Sequence, residues 1–278
     1  MSRTVIRANQ AWWNINWREL VEYHDLLWFL IKRDFTTVYK QSILGPLWFV
    51  IQPLATTLVF TVIFGNIAGM GTDGVPPFLF YMSAMVLWNY FQSCLNDVAN
   101  TFVGNAHLFG KVYFPRLIVP FALTAKNVGQ LVLNFLMFLG FYIYFATRPT
   151  SLLHANGWVV IVPVLALQCA LAGLGAGLWL TSMTAKYRDL RYALSFLSQL
   201  WMFATPIIFS ISKVPEKWMW AIYANPMSCV VVFNRHAFLG TGHAEIPLLV
   251  SGLATGLLLF VSGILVFNKT QRTFIDVV

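Results

Sequence analysis

Six stretches of roughly 20 or more mostly apolar residues divide this chain, at about 43–66, 77–99, 117–146, 158–184, 191–212 and 246–267. Each is long enough for a helix to cross a bilayer. Hydrophobic residues make up 58% of the chain and charged residues 10%, against about 25% charged in a soluble domain. A chain so poor in charge must turn much of its surface to lipid. The reading is an all-α integral membrane protein with an N-terminal segment, residues 1–42, and a six-span domain, residues 43–278.

Six spans put both termini on one side. Arg3, Arg7, Arg18, Lys32, Arg33, Lys40, Lys111, Arg116, Lys126, Lys186, Arg188, Arg191, Lys269 and Arg272 then fall on the terminal side and Arg148, Lys213, Lys217 and Arg235 on the other, 14 against 4. Basic residues collect on the cytoplasmic side, so both termini are expected there, with the first span directing insertion in place of a cleaved signal. The formal charge of +8 lies in short clusters beside apolar spans, which topology explains better than a nucleic-acid partner does.

Ahead of the first span, Trp17, Leu20, Val21, His24, Leu27, Trp28, Ile31, Phe35 and Val38 recur at spacings of three and four, with Arg18, Glu19, Glu22, Asp25, Lys32 and Arg33 largely between them. That is an amphipathic helix, and the span following within a few residues favours an interfacial helix over one packed on a soluble core. Leu44-Gly45-Pro46 joins helix to span. Gly69 to Gly74, with Pro76-Pro77 behind, reads as a tight external turn. In Lys213 to Glu245, Pro215-Glu216 opens a helix, Asn225-Pro226 interrupts it and Val230, Val231, Phe233, Ala237 and Phe238 continue apolar. Two short re-entrant helices suit this better than a solvated hairpin.

Chemical motifs are conspicuous by their failures. Gly104 to Val112 resembles a phosphate-binding loop, but five residues separate its glycines and Val112 stands where a hydroxyl would hold magnesium. Gly173, Gly175 and Gly177 lie inside an apolar span and read as points of close helix approach. Cys94, Cys169 and Cys229 are far apart, and the five histidines are scattered. Asp97 is the acidic residue within the spans, so no catalytic or metal-ligating set emerges. The polar residues of the spans, Gln52, Thr56, Asn89, Gln92, Asn96, Lys126, Asn127, Gln130, Asn134, Gln168 and Gln199, are mostly neutral amides. They suit hydroxyl-rich neutral cargo better than ions, although hydrogen bonds between helices explain many such residues. Lys126 could snorkel inward or pair with Asp97. Aromatic residues are 16% of the chain, and Trp48, Phe49 and Phe60 in the first span with Phe196, Trp201, Phe203 and Phe209 in the fifth could line a path for sugar rings; lipid-facing or core packing is the alternative.

Leu44 to Trp48 with Gln52-Pro53, Leu58 to Thr61 with Phe64-Gly65, Lys111 to Arg116, Tyr187-Arg188-Asp189, Val214 to Trp218 and Asn225-Pro226-Met227 together resemble the permease subunit of type-2 ABC transporters that export polysaccharide, the group of O-antigen, capsule and teichoic acid permeases. The resemblance covers nearly the whole chain. It implies a multi-pass homodimer in the bacterial inner membrane that binds no cofactor itself and moves a lipid-linked polysaccharide, driven by two ABC ATPase subunits that use ATP and Mg. It implies ATPase coupling through an interface helix, with Trp28, Lys32 and Arg33, and through a loop with Lys111, Tyr113, Phe114 and Arg116. The outer gate would carry Pro215, Trp218, Asn225, Pro226 and Arg235, and the first and fifth spans would wall the channel. Ser228 to Arg235 departs from the pattern, being more apolar than the Gly and acidic residue of the relatives. A permease of this fold for drugs or small lipids is the alternative; a membrane-embedded transferase would need a carboxylate or His set.

Overall fold

In a computed structural model of the chain the described residues are 17–40, 45–109, 114–148, 153–187, 189–242 and 244–273. Helices α1 (Trp17–Glu22) and α2 (His24–Lys40) come first. A turn at Gly45–Leu47 leads into α3 (Trp48–Phe60), which continues as a π-helix over Thr61–Ile67. Next come α4 (Pro77–Ala99) and the short α5 (Thr101–Gly104) and α6 (Ala106–Phe109). Helices α7 (Ile118–Lys126) and α8 (Val128–Ala146) divide the third apolar stretch at Asn127. After α9 (Val162–Thr184) and α10 (Leu190–Ala204) follow α11 (Met219–Ala224), α12 (Pro226–Leu239) and α13 (Ile246–Thr273).

Four helical runs among the described residues are long and apolar enough to cross a membrane: Trp48–Ile67, Ile118–Ala146, Gly157–Thr184 and Ile246–Gln271. Helix α4 begins and ends where expected, at 77 and 99, with Pro77 in the first turn where its missing N–H costs nothing. Its 23 residues reach ~34 Å, but Asn89, Gln92, Asn96 and Asp97 dilute its hydropathy. It tolerates them because it is the central helix, packed against α3, α8, α9 and α12 rather than lipid.

The fifth stretch departs from expectation. Its helix stops at Ala204 instead of about 212, and 15 residues give ~22 Å, short of the ~30 Å hydrocarbon core. Pro206 lacks an N–H to continue the ladder. The N-terminal pair also differs in which face it buries. Leu30 is only 3% exposed and packs with Tyr23, Leu26, Leu27 and Ile31 beside α7, whereas Val21, Trp28 and Phe35, expected on the packed face, are exposed. Leu20, Leu27 and Ile31 of the expected face do pack inward, and Tyr23, Leu26 and Leu30 join them, so the packed face is rotated only in part from the expected one.

The glycines of α9 act on two sides. A Cβ on Gly173 or Gly177 would meet the α4 backbone at 2.9 and 3.0 Å, and one on Gly175 would lie 2.5 Å from the α13 backbone at Leu259 and Phe260. Only a hydrogen fits there, so α9 sits clamped between α4 and α13. Gly175→Val should therefore lower the thermal unfolding midpoint of the purified protein in detergent, at a cost of about 3 kcal/mol or more. Gly140→Ala on α8, where a Cβ meets nothing within 4 Å, should leave the midpoint unchanged or raise it.

Candidate functional site

Successive turns of α3 carry Trp48, Gln52 and Thr56 on one face, a spacing of four. Opposite them α4 presents Asn89, Gln92, Ser93, Asn96 and Asp97, and the α7–α8 break supplies Lys126, Asn127 and Gln130. These side chains line two adjoining cavities of about 350 and 270 Å³, which share Trp48, Gln52, Ser93, Asn96 and Gln130 and so form one groove. The first alone reaches the lower range of ligand sites, ~300 Å³ upward, and the second extends it. Ser93 donates to Gln130 Oε1 at 3.0 Å, and the buried Asn89 Nδ2 has no hydrogen-bond partner.

The groove is polar but neutral in sum. Lys126 Nζ lies 3.0 Å from Asp97 Oδ2, which also accepts from Asn127 Nδ2 at 2.9 Å. This is one of the two arrangements expected of Lys126. Phe35 of α2 walls one end and Met85 and Met202 lie at the other. Phe35 rests on Gly129, where a Cβ would come within 2.8 Å of its ring, so α2 touches the start of α8 through a close contact. Of the remaining polar span residues, Gln168 donates to Gly252 O at 2.5 Å and serves packing, Asn134 is buried and Gln199 is exposed, both away from the groove.

The seven aromatic candidates do not share one surface within the chain. Trp48, 51% exposed, and Phe49 line the groove. Phe196 and Phe203 lie with Tyr192 and Leu200 on the exposed face of α10. Phe60 is buried edge-on to Phe64 and Tyr81, Trp201 packs edge-on to Phe91 at 4.9 Å, and Phe209 packs against the core.

Of the coupling candidates, Trp28 is 69% exposed with Lys32 one turn on, also exposed. Arg33 is paired with Asp34 at 2.7 Å. Arg116 Nη1 donates to Gln271 O at 2.5 Å and its guanidinium lies over Phe109, tying the start of α7 to the end of α13; burial lowers its pKa from the ordinary value. Phe114 is buried beside Phe109. Lys111 and Tyr113 lie outside the described residues.

At the opposite end the chain does divide into two helices at Asn225, and Asn225 does three things. Its Oδ1 caps α12 by accepting from Met227 N at 3.0 Å and also accepts from Trp201 Nε1 at 3.0 Å, while its Nδ2 donates to Thr205 Oγ1 at 2.9 Å. Pro226 occupies the first turn of α12, its ring buried. Arg235, 4% exposed, donates to the carbonyls of Pro206 and Ile207 at 2.5 Å and of Phe80 at 3.3 Å, and its guanidinium covers the Phe80 ring at 3.5 Å. The carbonyls left open where α10 ends are thus satisfied from α12. Ser210 and Ser212 donate to Asp73 of the 69–74 turn. Tyr223 donates to Glu245 at 2.6 Å, a bond that raises the Tyr223 pKa. Pro215 and Trp218 are exposed.

Sequence reasoning missed Phe35 as a groove residue, and with it Ser93, Thr205 and Asp73. Ser93 carries a legible signal, lying four residues from both Asn89 and Asp97 on a polar stripe. Nothing local marks the others.

Membrane-spanning helices beside a polar groove whose one ion pair is internally neutral define a multi-pass membrane protein. The chain belongs to the ABC-2 type transporter family, whose profile matches residues 25–239. It is similar to two proteins of Klebsiella pneumoniae named O-antigen export system permease protein RfbA, at 26% and 27% identity over 91% of this chain and 95% of theirs. A protein of the same name from Myxococcus xanthus is 29% identical over 72% of this chain and 74% of its own length.

Replacing Arg235 tests the clamp that joins α12 to the segment after α10. Arg235→Lys keeps the charge but not the planar fork of donors and should lower the unfolding midpoint; Arg235→Ala should lower it further, at about 3 kcal/mol. Midpoints equal to the wild type in both variants would show that the carbonyls find other partners.

Proposed function

We propose that this chain is the membrane subunit of an ATP-driven exporter that moves a lipid-linked, O-antigen-like polysaccharide outward across the bacterial inner membrane. The observation that carries the reading is the groove: amides and hydroxyls of three helices face one another around an internally neutral ion pair, with Trp48 and Phe49 beside them. Amides both donate to and accept from hydroxyl groups, and flat rings match the C–H faces of sugars. The names of the relatives support the same cargo.

In this reading the chain works as a homodimer with two separate ABC ATPase subunits, which bind the ATP and Mg, and both its termini are cytoplasmic. The 1–42 segment and the loop around Lys111 to Arg116 receive the ATPase motion. The exposed Trp28 and Lys32 are the contact points, and the inward stripe around Leu30 passes the motion to α7. Gly45, whose backbone is left-handed at φ +46°, is the joint between α2 and the first span, a conformation costly for other residues. Helices α11 and α12 form the outer gate. The exposed aromatic faces of α3 and α10 meet their counterparts at the dimer axis and wall the channel.

In cells lacking their own permease, co-expression of this chain with its ATPase should restore surface polysaccharide. Trp48→Ala should lower the export rate by a factor of roughly 2 to 10 without loss of assembly, and unchanged export would remove stacking at the groove. Lys32→Glu combined with Trp28→Ala should leave the protein folded but weaken polysaccharide-dependent ATP hydrolysis; a normal rate would take the α2 surface out of coupling.

A further inference from the structure

We infer that the α3–α4–α8 groove is a recognition site for a single sugar unit, complete within one copy of the chain, and that its occupancy is linked to the position of α2. The inference deepens the proposed function and rests on it for the cargo class. It differs by placing recognition inside the protomer, between the first three spans, rather than along a path between two copies.

Three observations carry it. The first is chemical: Gln52, Asn89, Gln92, Asn96 and Gln130 converge from separate helices on one groove, with Thr56 and Ser93 between them. Helix-to-helix bonding should have consumed these groups in a low-dielectric bundle. Yet the bond between Ser93 and Gln130 joins just two of them, and Asn89 Nδ2 is buried without a partner. A polyhydroxylated ligand supplies the missing partners, because each hydroxyl both donates and accepts.

The second observation concerns charge. Asp97 and Lys126 neutralise each other at 3.0 Å, with Asn127 holding the carboxylate. An anionic or cationic ligand would have to break that pair, whereas a neutral sugar leaves it intact. The pair thus selects against the phosphate of a lipid carrier inside the groove and for the sugar attached to it.

The third is mechanical. Phe35 belongs to α2 yet forms part of the groove wall, seated on Gly129 of α8. A ligand touching that wall has different contacts when α2 is docked and when it is displaced, and differential contact is what links two equilibria. Sugar binding therefore favours the docked position of α2, and a displacement of α2 lowers the affinity for sugar.

The test uses the purified full-length chain in nanodiscs and a panel of methyl α-mannopyranoside, methyl β-galactopyranoside and their 2-acetamido analogues, read by saturation-transfer difference NMR. Saturation should reach the ring C–H protons of at least one panel member. The signal should fall roughly five-fold or more in Gln52→Leu/Asn96→Leu and persist in Leu136→Ala, on the exposed face of α8. Thr56→Val, which removes a hydroxyl at constant shape, should weaken it also if the double variant does not fold. A fluorophore on Thr37→Cys of α2 should change emission as sugar is added. No transfer to any panel member, or equal transfer in the groove variants, overturns the site. Sugar binding with a silent fluorophore overturns the link to α2. Polysaccharide export without sugar binding sinks this inference alone, whereas sugar binding by a chain that supports no export sinks the proposed function and leaves the groove.

Discussion

Arg235 reaches from α12 to the carbonyls of Pro206 and Ile207, and the reason is general: in a medium without water every backbone and side-chain polar group must find its partner within the protein. Much of the architecture follows from that constraint. Helix α10 ends early, at Ala204 before Pro206, and the carbonyls of Pro206 and Ile207 beyond it have no helical ladder to join. A buried guanidinium, with several donors in a fixed plane, can serve them all at once. Asn225 does the same for the start of α12 while also holding Trp201 and Thr205. The segment between α10 and α13 is consequently bonded to the bundle side chain by side chain.

The same constraint acts differently around α4. That helix is polar along one edge, which lipid would not tolerate, so it occupies the centre, shielded by α3, α8, α9 and α12. Glycines on α9 allow the close approach that a central position demands. What remains is a groove whose amides, exposed at Gln52 and half-buried at Asn89, Gln92, Asn96 and Gln130, are incompletely paired with one another. At the α12 end Arg235 and Asn225 meet several carbonyls and side chains while Ser228 Oγ and Asn234 Oδ1 stay without a partner, so what sets the groove apart is its open volume among convergent amides.

Much of this was legible in the sequence where the signal is local. Pro77 marks the start of α4, Asn225-Pro226 marks the split between α11 and α12, and the amides at 89, 92 and 96 lie at spacings of three and four that place them on one face of α4. Long-range bonds were not legible. Pro206 marks where α10 must stop, but nothing in residues 204–212 announces that Arg235, about 30 residues downstream, serves the carbonyls of Pro206 and Ile207. The role of Trp201 depends on Asn225 in the same way: an aromatic in an apolar helix looks the same whether it faces a channel or anchors a neighbour. The packed face of α2 was legible at Leu27 and Ile31 but not at Leu30, because Phe29 and Leu30 are both apolar and only the neighbouring α7 decides between them.

The central claim is that the groove around Gln52 and Gln92 holds water and polar cargo while the bundle exterior meets lipid. Single cysteines at Gln52, Gln92 and the exposed Leu258 of α13, introduced into a chain whose own three cysteines are buried, can be challenged in native membranes with a small hydrophilic thiol reagent. Reaction at the two groove positions and none at Leu258 is the predicted result. Groove cysteines as inert as the one at Leu258 would mean that the amides serve packing alone.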